Sequence, residues 1–414
     1  MDRLVATVAA RPRLLPHRGM AVLLLAQLVG GSGLAAGVTV GALLSQNAFG
    51  TDFLAGFPNA AATAGAAIAA AAIGGISQRW SRQAGLACGY GVAAIGSAAA
   101  VAAVVMSNPV ILLLALGAYG AGSATTMQAR YAGADLAAPP RQGFVMSVVL
   151  MTTAAGVLAG PALLPMAEAL AEKVKLPAIA GPFVLAAATY LAAFIVVAVF
   201  LRLSSADSPP LESCVDPTLP TVHPSMPGLR FGAITICGAQ ALMVAMMTMT
   251  PVYIHHKGFS ISMTGLVIAV HIASMYLPAP LSGYLTDRFG SRTVGQLAAL
   301  VLSVSSLVVV TSQGNSLTGM IIALALLGWG WSLGVVAGSS AVINATTSAT
   351  RARTQGRVDT AMSIAGALAG VLSGFIVAMA GFLWLAVGVL IPALGYWLIL
   401  ARTKQDRGMR CDNC

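Results

Sequence analysis

The chain has 414 residues, of which 58% are hydrophobic and only 8% charged, and its mean hydropathy is +0.87. So much apolar surface excludes a soluble globular protein, and the short alternating segments of a membrane β-barrel are absent, which leaves a polytopic α-helical membrane protein. In a soluble protein the net charge of +10 would suggest a nucleic-acid partner; here membrane topology accounts for it and no nucleic acid is expected.

Taken in chain order, twelve apolar runs of about 20 residues are each long enough to span a bilayer. They read 19–44, 53–75, 84–106, 110–135, 143–165, 179–202, 230–254, 261–283, 293–312, 316–343, 358–380 and 382–401. The first is too long for a signal-peptide core and shows no convincing cleavage site, so it is expected to stay. The third and fourth meet at the turn Ser107-Asn108-Pro109, and the last two meet near Gly381 with almost no loop. Residues 204–229 are polar and rich in Pro and Ser, which predicts a flexible linker. The chain therefore divides into an N-terminal six-helix bundle (1–203), a linker (204–229), a C-terminal six-helix bundle (230–403) and a tail (404–414). Aromatic residues make up only 6% and Gly supplies 45 residues, a composition that lets helices approach closely in lipid.

Charge sets the expected orientation. With the N-terminus inside, the outer loops hold Lys173, Lys175 and Lys257, and the other 19 of 22 basic residues lie at the inner side. Both termini, the linker and the tail are then cytoplasmic, and the composition suggests a bacterial inner membrane. Cys88 and Cys237 fall in spans and Cys214, Cys411 and Cys414 in cytoplasmic segments, so no disulfide framework is expected. The Cys411-Asp-Asn-Cys414 ending has metal-like spacing but no second ligand pair, so no metal site and no cofactor are expected. No phosphate-binding loop supports ATP-driven pumping.

The two halves repeat one another. Ala155–Gly160 (AGVLAG) matches Ala369–Gly374 (AGVLSG), and Gln142-Gly143 matches Gln355-Gly356. The offsets are nearly constant, which is the pattern of a parallel repeat. Between the eighth and ninth spans lies Gly283-x-Leu285-x-Asp287-Arg288-x-Gly290, followed by Arg292. This resembles the signature loop of the major facilitator superfamily, at the equivalent place in the second half. The resemblance covers the whole chain in plan. It implies two pseudo-symmetric six-helix bundles and secondary transport by alternating access.

The resemblance also implies roles. Asp287 would meet the helix start near Gly143, and Arg141, holding the inner side shut. The first-half loop departs from the pattern, with Gln78 in place of the acid and Ser81 in place of the glycine, while Arg79 and Arg82 remain. Asp359 is expected to restore the missing charge by pairing with Arg79 or Arg82; the alternative is a cap on its own helix. Gly156-x-x-x-Gly160-Pro161 resembles the antiporter motif of drug-efflux branches, though the glycines that should follow Pro161 are absent; ordinary small-residue packing is the alternative.

Charge inside a membrane is costly and usually functional. By these boundaries no carboxylate lies near a span centre: Asp52 starts the second span, and Asp135 and Asp359 lie at inner ends, with Asp52 and Asp135 kept as proton-coupling candidates. Arg130, in the fourth span, is a proton-coupling candidate, with snorkelling toward Asp135 as the alternative. His271, mid-span, titrates in the physiological range and is a second candidate. In the superfamily the first, fourth, seventh and tenth spans line a central cavity, which points to Gln27, Ser32, Tyr119, Thr125, Gln128, Gln240, Trp329, Trp331 and Asn344 as lining residues. Met243, Met246, Met247 and Met249 crowd the seventh span, with His255 and His256 beyond it, suggesting either core packing or a soft-metal route. The expected function is export of a small organic compound in exchange for protons by a monomeric carrier. A uniporter or uptake permease for a small neutral solute is the alternative.

Overall fold

A computed structural model describes residues 17–49, 57–173, 175–201, 225–312 and 316–402. Asp52, most of the linker and the tail with Cys411 and Cys414 lie outside the described residues, as does Cys214. All described secondary structure is helical. The first half comprises α1 (His17–Phe49), α2 (Phe57–Arg79), α3 (Arg82–Val105), α4 (Pro109–Tyr119), α5 (Ala121–Asp135), α6 (Gln142–Lys173) and α7 (Gly181–Ile195), the last prolonged by a wider π-type turn over Val196–Leu201. The second half comprises α8 (Met226–His256), α9 (Ile261–Tyr276), α10 (Ala279–Phe289), α11 (Ser291–Ser312), α12 (Leu317–Asn344), α13 (Arg351–Ala380) and α14 (Phe382–Arg402).

Two pairs act as single spans: α4 with α5 (Pro109–Asp135) and α9 with α10 (Met263–Phe289). Pro278, which lacks an N–H to continue the ladder, separates the second pair. Counted this way, eleven described spans are long and apolar enough to cross a membrane, and the Arg18–Leu34 part of α1 adds a shorter apolar segment. Local chemistry sets several starts. Ser81, Asn108, Ser260 and Ser316 accept hydrogen bonds from the first free N–H groups of α3, α4, α9 and α12. Large apolar side chains such as Ile68, Leu114 and Met379 point outward, as lipid contact requires.

Packing is pairwise within each half. In the first, α1 lies against α6 and α7, and α3 against α4 and α7; in the second, α8 lies against α12 and α13, and α11 against α12 and α14. The repeated sequences take equivalent places, since Gly156 approaches the α1 backbone at Gly31 and Gly370 approaches Val244 of α8. The halves meet through α2 against α13 and α10 against α6. At these crossings glycine faces glycine. A Cβ on Gly356 would lie 2.8 Å from Gly74 Cα, and one on Gly143 would lie 2.9 Å from the Gly283 carbonyl oxygen. Both distances are closer than side chains normally allow, so only glycine permits this approach.

Candidate functional site

The two interfaces end in matched polar contacts at one end of the bundle. Four residues after Gly283, Asp287 accepts hydrogen bonds from the backbone N–H groups of Gly143 and Phe144, both at 2.8 Å. These are orphan donors of the α6 N-terminus, where the helix dipole favours a carboxylate. Four residues after Gly74, Gln78 Oε1 accepts from the N–H groups of Ala352 (3.0 Å) and Arg353 (3.4 Å) at the α13 N-terminus, and its Nε2 donates to the Ser348 carbonyl. The first-half loop thus makes the same helix-end contact with a neutral amide. Gly290 sits at φ +84°, where a side chain would be strained, whereas Ser81 is extended and caps α3. The Ser substitution is therefore accommodated by a different turn.

This geometry corrects the expected role of Asp359. It pairs with neither Arg79, which is exposed at the end of α2, nor Arg82. Arg82 instead bonds Asp135 of its own half (2.9 Å) and Gln355 Oε1 of the other (2.7 Å). No ion pair joins Asp287 to Arg141 among the described residues; each carboxylate oxygen accepts one backbone N–H instead. Arg141 is exposed, Arg288 donates to its own helix at Tyr284 (2.8 Å), and Arg292 lies in the first turn of α11.

The partner of Asp359 is Arg130. The Arg130 guanidinium donates to both carboxylate oxygens, at 2.6 and 3.3 Å. Arg130 is fully buried and Asp359 nearly so, 0% and 4% exposed, so the alternative in which Arg130 snorkels toward Asp135 does not hold; Asp135 pairs with Arg82. The remaining donors are satisfied by Ser339 Oγ (2.9 Å), Tyr131 Oη (3.0 Å) and the Met127 carbonyl. The pair bridges α5 of one half and α13 of the other. The expected position of Asp359 at the end of its helix is corrected as well. Helix α13 begins at Arg351, so Asp359 is eight residues in, about 12 Å along the axis.

Beside this pair lies a cavity of about 170 Å³. Asp359 and Ser363 of α13, Ser123 of α5, Gln240 of α8, Tyr276 of α9 and Trp331 of α12 form its polar and aromatic wall. Trp331 Nε1 donates to Gln240 Oε1 at 2.7 Å, and its ring meets Tyr276 edge-on at 5.6 Å. Four methionines complete most of the rest: Met127, Met243, Met275 and Met362.

Of the nine expected lining residues, the structure brings Gln240 and Trp331 to the cavity. Six of the others serve packing or bond within the bundle, and Asn344 lies at the surface. Gln27 Oε1 accepts from Thr153 (2.8 Å) between α1 and α6, and Gln128 Nε2 donates to the Ala70 carbonyl (2.6 Å) between α5 and α2. Tyr119 donates to the Gly33 and Leu34 carbonyls, Ser32 and Thr125 bond within their own helices, Trp329 packs between α11 and α12, and Asn344 is exposed. His271 is fully buried, its Nδ1 2.9 Å from the Leu324 carbonyl. Cys88 and Cys237 are free thiols, and no cluster of His, Cys, Asp and Glu suited to a metal occurs among the described residues. Gly160 is buried in α6 with Pro161 next in the same helix. Sequence reasoning missed Ser123, Tyr276, Ser363 and three of the four cavity methionines. Of these, Ser363 follows the helical spacing of a residue it did single out, one turn from Asp359.

Comparison with known proteins agrees with this architecture. The sequence profile described as Major Facilitator Superfamily matches residues 23–277 and 231–408. Two relatives from Bacillus subtilis (strain 168) are each 38% identical. The uncharacterized MFS-type transporter YddS aligns over 78% of this chain and 77% of its own length, and the uncharacterized MFS-type transporter YdeG over 80% and 78%. A crystal structure of the transporter FucP in the outward conformation superposes with a TM-score of 0.69 at 17% identity, covering 92% of this chain and 97% of that one, a likeness of fold. The chain belongs to the Major Facilitator Superfamily: it is a multi-pass membrane transporter and not an enzyme.

Proposed function

We propose that this transporter exports a small organic solute in exchange for protons, and that Asp359 is the group through which protons act. The observation that carries this reading is the Arg130–Asp359 pair, buried between the two halves with its carboxylate on the cavity wall. A proton taken up by Asp359 cancels the charge that holds Arg130, loosening α13 from α5. Proton binding would then bias the two halves toward separation at that level, which is the differential interaction alternating access needs. The end bearing Asp287 and Gln78 would be the cytoplasmic gate, closed in this structure. Export is the direction supported by the Gly156–Pro161 motif. The cavity holds a small cargo, since drug-sized pockets begin at about 300 Å³. Its one charged wall residue is acidic, which disfavours an anion.

The test is proton movement in proteoliposomes loaded with a pH-sensitive dye, challenged in turn with lipophilic cations, neutral drugs and sugars. At least one compound is expected to move protons through the native chain and none through a folded Asp359→Asn variant. A compound that crosses without a proton signal would replace this reading with a uniporter. That alternative is supported by the complete hydrogen bonding around Arg130, which also suits a static tie.

A further inference from the structure

The cavity wall is rich in sulfur. Four of its thirteen lining residues are Met, against 18 in the whole chain of 414. Met127, Met243, Met275 and Met362 come from α5, α8, α9 and α13, so no single-helix stripe explains their convergence on one space. A second feature lies beside them. His271 stands one turn before Met275 on the same face of α9. Its Nδ1 is 2.9 Å from the Leu324 carbonyl, which can only accept, so Nδ1 holds the ring proton. The lone pair is left on Nε2, which is buried and has no hydrogen-bond partner. A histidine that donates one N–H to a backbone carbonyl and keeps the other nitrogen free has the arrangement metal-binding imidazoles use.

We propose that this cavity is a binding site for a soft monovalent metal ion, Cu(I) or its analogue Ag(I), held by the cavity thioethers with the His271 imidazole beside them. Thioether and imidazole donors select soft ions, whereas Mg²⁺ and Ca²⁺ require oxygen ligands. The strongest oxygen donors of the wall are already engaged, both Asp359 oxygens by Arg130 and Gln240 Oε1 by Trp331, and the hydroxyls of Ser123, Ser363 and Tyr276 are neutral. Thioethers carry no proton, so such a site keeps its sulfur donors at any physiological pH. Single thioethers are weak ligands, and a site made of several can capture an ion and still release it, as a carrier must. The competing account, that the methionines give a pliable apolar lining, predicts no metal retention. The proposal rests on the cavity alone and does not depend on the organic cargo or on the role given to Asp359.

The purified full-length chain, its accessible thiols blocked with N-ethylmaleimide, is titrated with Ag(I) and, in ascorbate, with Cu(I) against a chromogenic Cu(I) chelator. Retention of an ion through gel filtration is expected for the native chain, with Mg²⁺ not retained. Met243→Leu/Met275→Leu and His271→Phe should each weaken retention by about tenfold or more. Met246→Leu, on the same helix as Met243 but off the cavity wall, should leave it unchanged. Leu nearly conserves the volume of Met, so the methionine variants should fold, and a monodisperse elution profile checks this. Met362→Leu supplies an independent variant. No retained ion overturns the proposal, and so does equal retention by the double variant and Met246→Leu. Either result leaves the proton reading standing, because that reading is tested by dye response in Asp359→Asn.

Discussion

At the scale of single residues, the Arg130–Asp359 pair makes asymmetric demands. A carboxyl left alone can take up a proton, whereas a guanidinium cannot lose one under any physiological condition. Asp359→Asn therefore strands a buried cation and should lower stability by roughly 3–5 kcal/mol, the usual result of breaking one side of a buried pair. Arg130→Met should cost less. Replacing both by apolar residues of similar volume should restore stability to near the native level while abolishing proton-coupled movement of any cargo. Thermal unfolding of the four proteins in one detergent, beside the dye assay, checks the ordering; equal destabilisation by the two single variants would show that burial of the pair is not what governs it. The sequence made Arg130 and Asp359 visible as rare charges but not as partners. They lie 229 residues apart. Moreover, the polar run Arg351–Arg357 reads as a loop when it is in fact the first turns of α13. A start seven residues earlier than the expected 358 turns an end residue into a buried one.

At the scale of elements, the two crossings between halves are the same device built twice, once with a carboxylate and once with an amide. Asp287 gains from the α6 dipole about 0.3–1 kcal/mol that a neutral acceptor at the α13 terminus lacks. Gln78→Glu would gain that contribution but set its second oxygen against the Ser348 carbonyl, to which Gln78 Nε2 donates, whereas Gln78→Ala removes this weaker contact outright and should let that end of the bundle open more readily. Asp287→Asn should weaken the stronger one and favour opening. Spin labels at Arg79 and Arg353, both exposed beside the α2–α13 crossing, would read the first effect as a larger share of long distances in Gln78→Ala; an unchanged distribution counts against the gate. The glycine pair makes a sharper demand. Gly356→Val places methyl groups against the Gly74 Cα and the Ala70 carbonyl, so α2 and α13 cannot close, and the same labels should report only long distances. The repeat was legible at this scale: Gln142-Gly143 and Gln355-Gly356 stand at the two equivalent crossings. The inward faces were not legible. These helices are apolar almost all round, so pattern alone does not separate a cavity wall from a packing surface. For that reason Gln27 and Gln128 read as cavity residues, although each holds two helices together.

At the scale of the whole molecule, the asymmetry of basic residues makes a claim about orientation that stands apart from the site. Only Lys173, Lys175 and Lys257 are assigned to the outer loops, and the other 19 of 22 basic residues, the buried Arg130 apart, to the opposite side or its edge. Charges on short loops near span ends resist translocation, so a bias this large should give one topology. The same side carries the Asp287 and Gln78 contacts, because the helix ends flanking the α2–α3 and α10–α11 turns hold Arg79, Arg82, Arg288 and Arg292. Orientation and gate position are thus one claim. Cys411 and Cys414 make it measurable without altering the protein, since among the other cysteines Cys88 and Cys237 lie within spans and Cys214 shares the linker side. A membrane-impermeant maleimide applied to intact cells should leave the tail thiols unmodified, and applied to inside-out vesicles should label them. Labelling in intact cells would invert the molecule. The contacts closed in this structure would then seal the outer face, and proton-driven export would become the wrong direction for the bias that Asp359 provides.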